Sequence, residues 1–401
     1  MIFAFADFEI DEDCREVRRW GQPVHVEPQV LDLLVYLIRH RERVVSKAEL
    51  LDAVWEGRIV SDATLGSRIN AARRTIGDTG EDQKAIRTVP RHGFRFVADV
   101  RERPGRAQGS RQASADIGSG VPIAGQQTVG FCTTADGVKL AVASMGSGRP
   151  LVKAPNWLTH VEFDLKSPLW SPLYRRLAGR YHFIRYDTRG TGLSDWQVPE
   201  ISFDAFLQDL EAVVDHFALE RVSLLGISQG AAVAIAYAAR HPERVDSLVL
   251  LGSYALGRRR RHSPGEEDKG DLFLSLMRQG WGKPNSAFLK AFSSIYIPDG
   301  TDEQVRWYAE LQNITTSPEN AERIRQACDN IDVSADLARV RARTLVLHSR
   351  GDNIVPLDHG RSVAAGIGGA RFVVLDTANH TALPGEPAWT AFVEELEAFL
   401  S

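Results

Sequence analysis

The sequence predicts two domains, a small α+β domain followed by a larger doubly wound α/β domain with a helical cap. Three observations carry this. At 401 residues the chain exceeds one typical core. Its first hundred residues give short strand patterns, three helical patterns and a closing hairpin. Further on, the apolar run Val222–Leu225 meets Gly226-Ile-Ser228-Gln-Gly230 and then the helical stretch from Ala231, a strand, tight turn and helix with serine at the apex.

Composition narrows the class. A formal net charge of −4 with ordinary hydrophobicity excludes wholesale disorder. Cys14, Cys132 and Cys328 have no metal-ligand spacing and read as reduced thiols, so neither a metal nor another cofactor is expected. Acidic residues soon interrupt the N-terminus, which reads as no signal peptide, and the longest apolar stretches are broken by Gln229, Arg240 and Glu243. A cytoplasmic protein without a membrane span is the expectation.

Apolar residues alternate at Ile2, Ala4, Ala6, Phe8 and Ile10, as in short antiparallel strands. Helical spacing runs over 28–39. Ser46-Lys-Ala-Glu49 is a capping box for a second helix through Trp55. A third spans 63–76 and stops at Gly77-Asp78; Ile86–Phe96 reads as a hairpin with Gly93 at its tip. Residues 1–100 hold 15 Lys/Arg and 17 Asp/Glu, but between Arg68 and Arg95 there are 7 cations against 3 acids.

This order, with Arg73-Arg74-Thr-Ile76-Gly-Asp and Arg87-Thr-Val-Pro-Arg91-His-Gly93-Phe94-Arg95-Phe, resembles the OmpR/PhoB-type winged helix-turn-helix domain, placed first as in CadC/ToxR-type one-component regulators. The resemblance implies double-stranded DNA as partner, with the third helix in the major groove and the hairpin beside it. Arg68, Asn70, Arg73 and Arg74 on the helix and Arg87, Arg91 and Arg95 on the hairpin are the candidate DNA contacts. Residues 101–127, rich in Gly, Ser, Ala and Gln, read as a flexible tether between domains 1–100 and 128–401.

In the second domain two strand ends follow the serine turn. Thr344–His348 runs into Asp352, and Arg371–Leu375 runs into His380. A serine hydroxyl needs a base to take its proton, and the base needs a carboxylate to fix its tautomer, so Ser228, His380 and Asp352 form a candidate catalytic triad. Together with Phe183-Ile-Arg-Tyr-Asp187-Thr-Arg-Gly190-Thr-Gly192 and His241-Pro-Glu-Arg-Val, this stretch resembles an α/β-hydrolase from Thr128 to Ser401. In that family His-Gly usually follows the early strand; here Ala154-Pro155 stands in its place. By alignment the backbone N–H groups of Asn156 and Gln229 would form the oxyanion hole.

Residues from about 254 to 340 would form a cap, with helices near 272–278, 287–292 and 303–314 and Trp281, Phe288, Phe292, Tyr296, Trp307 and Tyr308 as an apolar lid. Arg258–Arg261 reads as a solvated basic loop. The expectation is a one-component transcriptional regulator whose hydrolase domain senses a small-molecule ligand or ester-type substrate, either as a slow enzyme or as a receptor that kept the pocket, assembling as a homo-oligomer. The alternative is an esterase- or lactonase-type serine hydrolase with a DNA-binding accessory.

Overall fold

The computed structural model describes residues 2–11, 16–19, 22–24, 26, 28–55, 62–79, 82–90, 92–103, 127–261, 274–283 and 286–401. The chain divides into two units, Met1–Ile117 and Gly118–Ser401.

In the first unit, β1 (Ile2–Phe5), β2 (Phe8–Asp11), β3 (Glu16–Arg19) and β4 (Gln22–Val24) form an antiparallel meander. The turn at Ala6, with φ 46°, resets the alternation, so the buried face is Phe3, Phe5, Phe8 and Ile10, without Ala4 or Ala6. Three helices follow, α1 (Pro28–Arg39), α2 (Lys47–Trp55) and α3 (Asp62–Thr75). Ser46 Oγ accepts from Glu49 N at 3.1 Å, but the Glu49 carboxylate turns to Arg43 and Tyr36, which leaves half of the expected capping box. The third helix buries Leu65, Ile69 and Ala72 and ends at Gly77, whose φ of +66° suits glycine.

The hairpin of β5 (Ile86–Val89) and β6 (Gly93–Phe96) is fastened to the α1–α2 connection, where Phe94 and Val45 exchange two backbone hydrogen bonds of 2.8 and 2.9 Å. A Cβ on Gly93 would lie 2.0 Å from Val45 O, so no larger residue fits. One strand extends the unit beyond its expected end. Arg101–Arg103 forms β7, paired antiparallel with β1, so the segment 101–127 begins inside the sheet rather than as tether. Residues 104–126 of that segment lie outside the described residues.

The second unit is built on an eight-stranded sheet of β8 (Thr128–Thr133), β9 (Lys139–Met145), β10 (Pro150–Ala154), β11 (His182–Tyr186), β12 (Val222–Ile227), β13 (Val245–Leu251), β14 (Arg343–Ser349) and β15 (Arg371–Leu375). The strand order is β15-β14-β13-β12-β10-β11-β9-β8, with β10 to β15 mutually parallel and β9 antiparallel to both of its neighbours, β11 and β8. Runs such as Leu224-Leu225 and Leu248–Leu251 are buried, as parallel strands covered on both faces require. The chain passes from one side of β10 to the other between β11 and β12, and ligands bind outside the carboxyl ends of strands at such a switch point.

Helices α4 (Ser171–Ala178), α5 (Phe203–His216) and α6 (Gln229–Arg240) connect the first strands. Between β13 and β14 lie α7 (described over 274–280), α8 (Ala287–Tyr296), α9 (Asp302–Thr315) and α10 (Pro318–Asp329), and after β14 come α11 (Leu357–Gly366) and α12 (Pro387–Leu400). Helix α10 was not among the expected cap helices; Ser317 caps it and Ala321, Ile324 and Cys328 form its buried stripe. Among the described residues no helix is long and apolar enough to cross a membrane.

Candidate functional site

Ser228 sits between β12 and α6 with φ 54° and ψ −121°, a conformation unfavourable for a residue with a side chain. Its neighbours must be small. A Cβ on Gly226 would meet Ala231 Cα at 2.5 Å, and one on Gly230 would meet the carbonyl oxygens of Pro155 and Ala154 at 2.6 and 2.7 Å. Ser228 N donates to Leu251 O at 2.9 Å, tying the turn to the end of β13.

Asp352 follows β14 and His380 follows β15. His380 Nδ1 lies 2.6 Å from Asp352 Oδ2, and both groups are buried. The other oxygen, Asp352 Oδ1, accepts from the N–H groups of Ile354 and Val355 at 2.8 and 2.9 Å. Burial pushes the Asp352 carboxyl up, but the charge and hydrogen bond of His380, with the Val355 N–H, hold it below the usual carboxylate range. A Cβ on Gly252 would lie 2.9 Å from His380 Cε1, and Tyr296 meets the imidazole edge-on at 5.5 Å. His380 Nε2 has no hydrogen-bond partner among the described residues and lines one cavity with Ser228. The arrangement leaves this nitrogen available to take a proton in that cavity.

His348, which the sequence reading passed over, buttresses the carboxylate. Its Nε2 lies 2.8 Å from Val355 O and 3.5 Å from Asp352 Oδ2, and burial pushes its pKa down.

The space around Ser228 has two lobes. One is lined by Asn156, Trp157, Leu169, Trp170, Tyr296 and Tyr308 among others. Trp157 packs against Trp281 and Phe292, Phe292 against Tyr296, and Tyr296 against Tyr308, all with steep interplanar angles. The cap aromatics therefore build both core and cavity wall. The other lobe carries Arg258, Arg261, Arg325, Cys328 and Asp329. Arg258 Nη2 lies 2.5 Å from Asp329 Oδ2, Arg325 Nε lies 3.0 Å from Asp329 Oδ1, and Arg261 stacks on Tyr254. The basic run is thus no solvated loop: two of its four cations face the cavity.

Asn156 is buried and lines the first lobe; Gln229 is the first residue of α6, with Oε1 accepting from Cys328 Sγ at 2.7 Å. Beneath Asn156 is a buried charged group. Lys153 Nζ donates to Asn156 Oδ1 at 2.6 Å, its strand neighbour is Arg185, and Arg185 Nη1 lies 3.6 Å from Asp164 Oδ2. Burial pulls the Lys153 ammonium down to about 7 against the pull of Asp164, and pushes Asp164 up to about 6. Asp187, after β11, accepts from Val161 N and Leu193 N.

In the first unit the seven expected DNA contacts separate. Asn70, Arg87 and Arg95 are exposed and Arg68 is half-buried; Arg95 Nε donates to Arg41 O at 3.0 Å. Arg73 departs from the expectation. It is 5% exposed, and its guanidinium donates to Ile86 O at 2.9 Å and Thr88 Oγ1 at 2.8 Å, so it fastens α3 to the hairpin. Arg91 and the side chain of Arg74 lie outside the described residues. Asp78, also unforeseen, is buried and accepts from the N–H groups of Thr79, Lys84, Ala85 and Ile86.

Comparison with known proteins separates the same two units. Residues 164–387 match the family model for the alpha/beta hydrolase fold, and residues 21–96 match that for the C-terminal domain of transcriptional regulatory proteins. AB hydrolase superfamily protein YisY of Bacillus subtilis is 29% identical over 260 residues, 63% of this chain and 92% of that protein. A 2-hydroxy-6-oxo-6-phenylhexa-2,4-dienoate hydrolase of Comamonas testosteroni is 29% identical over 229 residues, 53% and 77% of the two chains. An esterase from Exiguobacterium antarcticum shares the fold with a TM-score of 0.57 at 24% identity, covering 67% of this chain and 98% of its own.

Proposed function

The chain belongs to the α/β-hydrolase fold family, and on that premise we propose that it is a transcriptional regulator that binds duplex DNA through residues 1–100 and a small acyl compound at Ser228, which the triad cleaves slowly. The observation that carries this is the pairing, in one chain, of a regulator-type domain match with a cavity holding Ser228 and an Asp352-bound His380.

These residues support an acyl-transfer sequence. Ser228 Oγ attacks the carbonyl carbon while its proton passes to His380 Nε2, and Asp352 stabilises the imidazolium through Nδ1. The carbonyl π electrons move to oxygen, where the N–H groups of Gln229 and Asn156 meet the oxyanion. Collapse expels the leaving group with the proton from His380, and water repeats the sequence to release the acid and restore Ser228. The arginine-lined lobe favours an anionic group on the ligand; the Comamonas relative is named for a substrate that carries a carboxylate.

The Asp352–His380 bond also favours a second reading, a serine hydrolase held on DNA without regulation by ligand. Two measurements on the full chain test the halves. A fluorophosphonate should label wild type and leave Ser228→Ala unlabelled, and the chain should enrich a duplex from a random pool. Equal labelling of both proteins removes the nucleophile; failure to enrich any duplex removes the regulator.

A further inference from the structure

Lys153 is the one charged residue in Pro150-Leu-Val-Lys-Ala, an otherwise apolar strand that is buried from Leu151 onward. It points to the same side as Arg185 on the adjacent parallel strand, so two cations are held out of water together. Taking such groups from water is expensive, and a methionine would fill similar volume without that penalty. The placement has a local effect: Lys153 Nζ donates to the Asn156 amide oxygen, 2.6 Å away. The amide nitrogen is thereby turned the other way. It has no acceptor among the described residues, and Asn156 lines the cavity that holds Ser228 and His380.

We infer that Asn156 supplies its side-chain Nδ2, fixed by Lys153, as an oxyanion donor in addition to the backbone donors at Ser228. Lys153 touches no substrate; it is a positioning residue acting through Asn156. The arrangement answers the Ala154-Pro155 sequence. Pro155 O and Ala154 O are packed against Gly230, so this loop has little freedom to bring another donor forward. This inference rests on the reading of Ser228 as nucleophile.

The test measures hydrolysis of p-nitrophenyl butyrate by the full chain, with fluorophosphonate labelling as a separate assay. Asn156→Asp keeps a partner for Lys153 but puts an oxygen where the donor stood; Asn156→Leu removes the amide at similar volume. Each is expected to lower kcat about a hundredfold with KM little changed. Lys153→Met should lower kcat about tenfold in the wild-type background and add nothing to Asn156→Leu, whereas Lys153→Arg, which still donates, should restore most of the rate. A purely structural role would give additive losses that follow the melting temperature.

If Lys153→Met does not fold, the two Asn156 variants alone decide. Wild-type kcat in Asn156→Leu, or additive losses in the double variant, overturns the inference. Absence of labelling in wild type would instead remove the nucleophile reading on which it rests.

Discussion

Arg87 and Arg95 stand directly opposite each other across the β5–β6 hairpin, and both are exposed. Like charges in facing positions destabilise a strand pair, so this placement is best balanced by an anion outside the chain. Arg87→Ala and Arg95→Ala should each weaken binding to an enriched duplex and reduce the log–log salt slope by about one. A double variant with unchanged affinity and slope would take the hairpin off the DNA.

Arg73 should behave differently from its neighbours. Because its guanidinium holds Ile86 O and Thr88 Oγ1, Arg73→Ala should destabilise the first unit by about 2 kcal/mol. The check is thermal unfolding, with hydrogen exchange at the Ile86 amide of the full chain. A variant of wild-type stability that loses DNA affinity would return Arg73 to the DNA surface.

Asp78 gives the same unit a defined acid response. Burial raises its carboxyl, yet the N–H groups of Ile86, Ala85, Lys84 and Thr79 outweigh that and hold it low. A carboxyl depressed in the folded state adds stability above its unfolded pKa, near 3.9, and loses it as pH falls through the folded value. Protection of the Ala85 and Ile86 amides, taken relative to their intrinsic exchange rate at each pH, should therefore fall below about pH 4 in wild type, and already be low at pH 7 in Asp78→Asn. Matching exchange at pH 7 would contradict this.

Around Ser228, Gly230→Ala is the sharpest steric test. Its Cβ would press on two backbone oxygens, of Pro155 and Ala154, so the Asn156 loop must shift. A displacement near 1 Å can lower a rate about a hundredfold, and kcat for p-nitrophenyl butyrate should fall by that order in a folded protein. An unchanged kcat would show that the loop does not set the oxyanion geometry.

Much of this was legible from local sequence. The Ser228 turn is visible because glycines 226 and 230 are demanded by contacts within a few residues or at the next strand end. Asp352 and His380 are visible because each follows an apolar strand. The inward turn of Arg73 was equally readable: it falls four residues after Ile69 and three before Ile76, on the face that also buries Leu65 and Ala72. Charge composition masked that spacing.

Other features depend on partners far away in the chain. Arg258 turns inward because Asp329, seventy-one residues later, waits there, and no pattern within 258–261 distinguishes it from a solvated cation. Lys153 could be noticed as a lysine in an apolar strand, but Asp164 and Arg185, which share its burial, come from separate elements. Helix α10 buries a narrow stripe in a charged sequence, too weak a signal beside Pro318.

The central claim, that occupancy at Ser228 changes DNA binding, is tested most directly by one titration. An enriched duplex is titrated against the full chain before and after Ser228 is occupied by a fluorophosphonate, with Ser228→Ala treated identically as control. Coupling between sites is typically about 1–3 kcal/mol, so the dissociation constant should change roughly five- to 150-fold in wild type and not in the control. Equal affinity of the occupied and unoccupied chain would contradict the account and leave a hydrolase that merely resides on DNA.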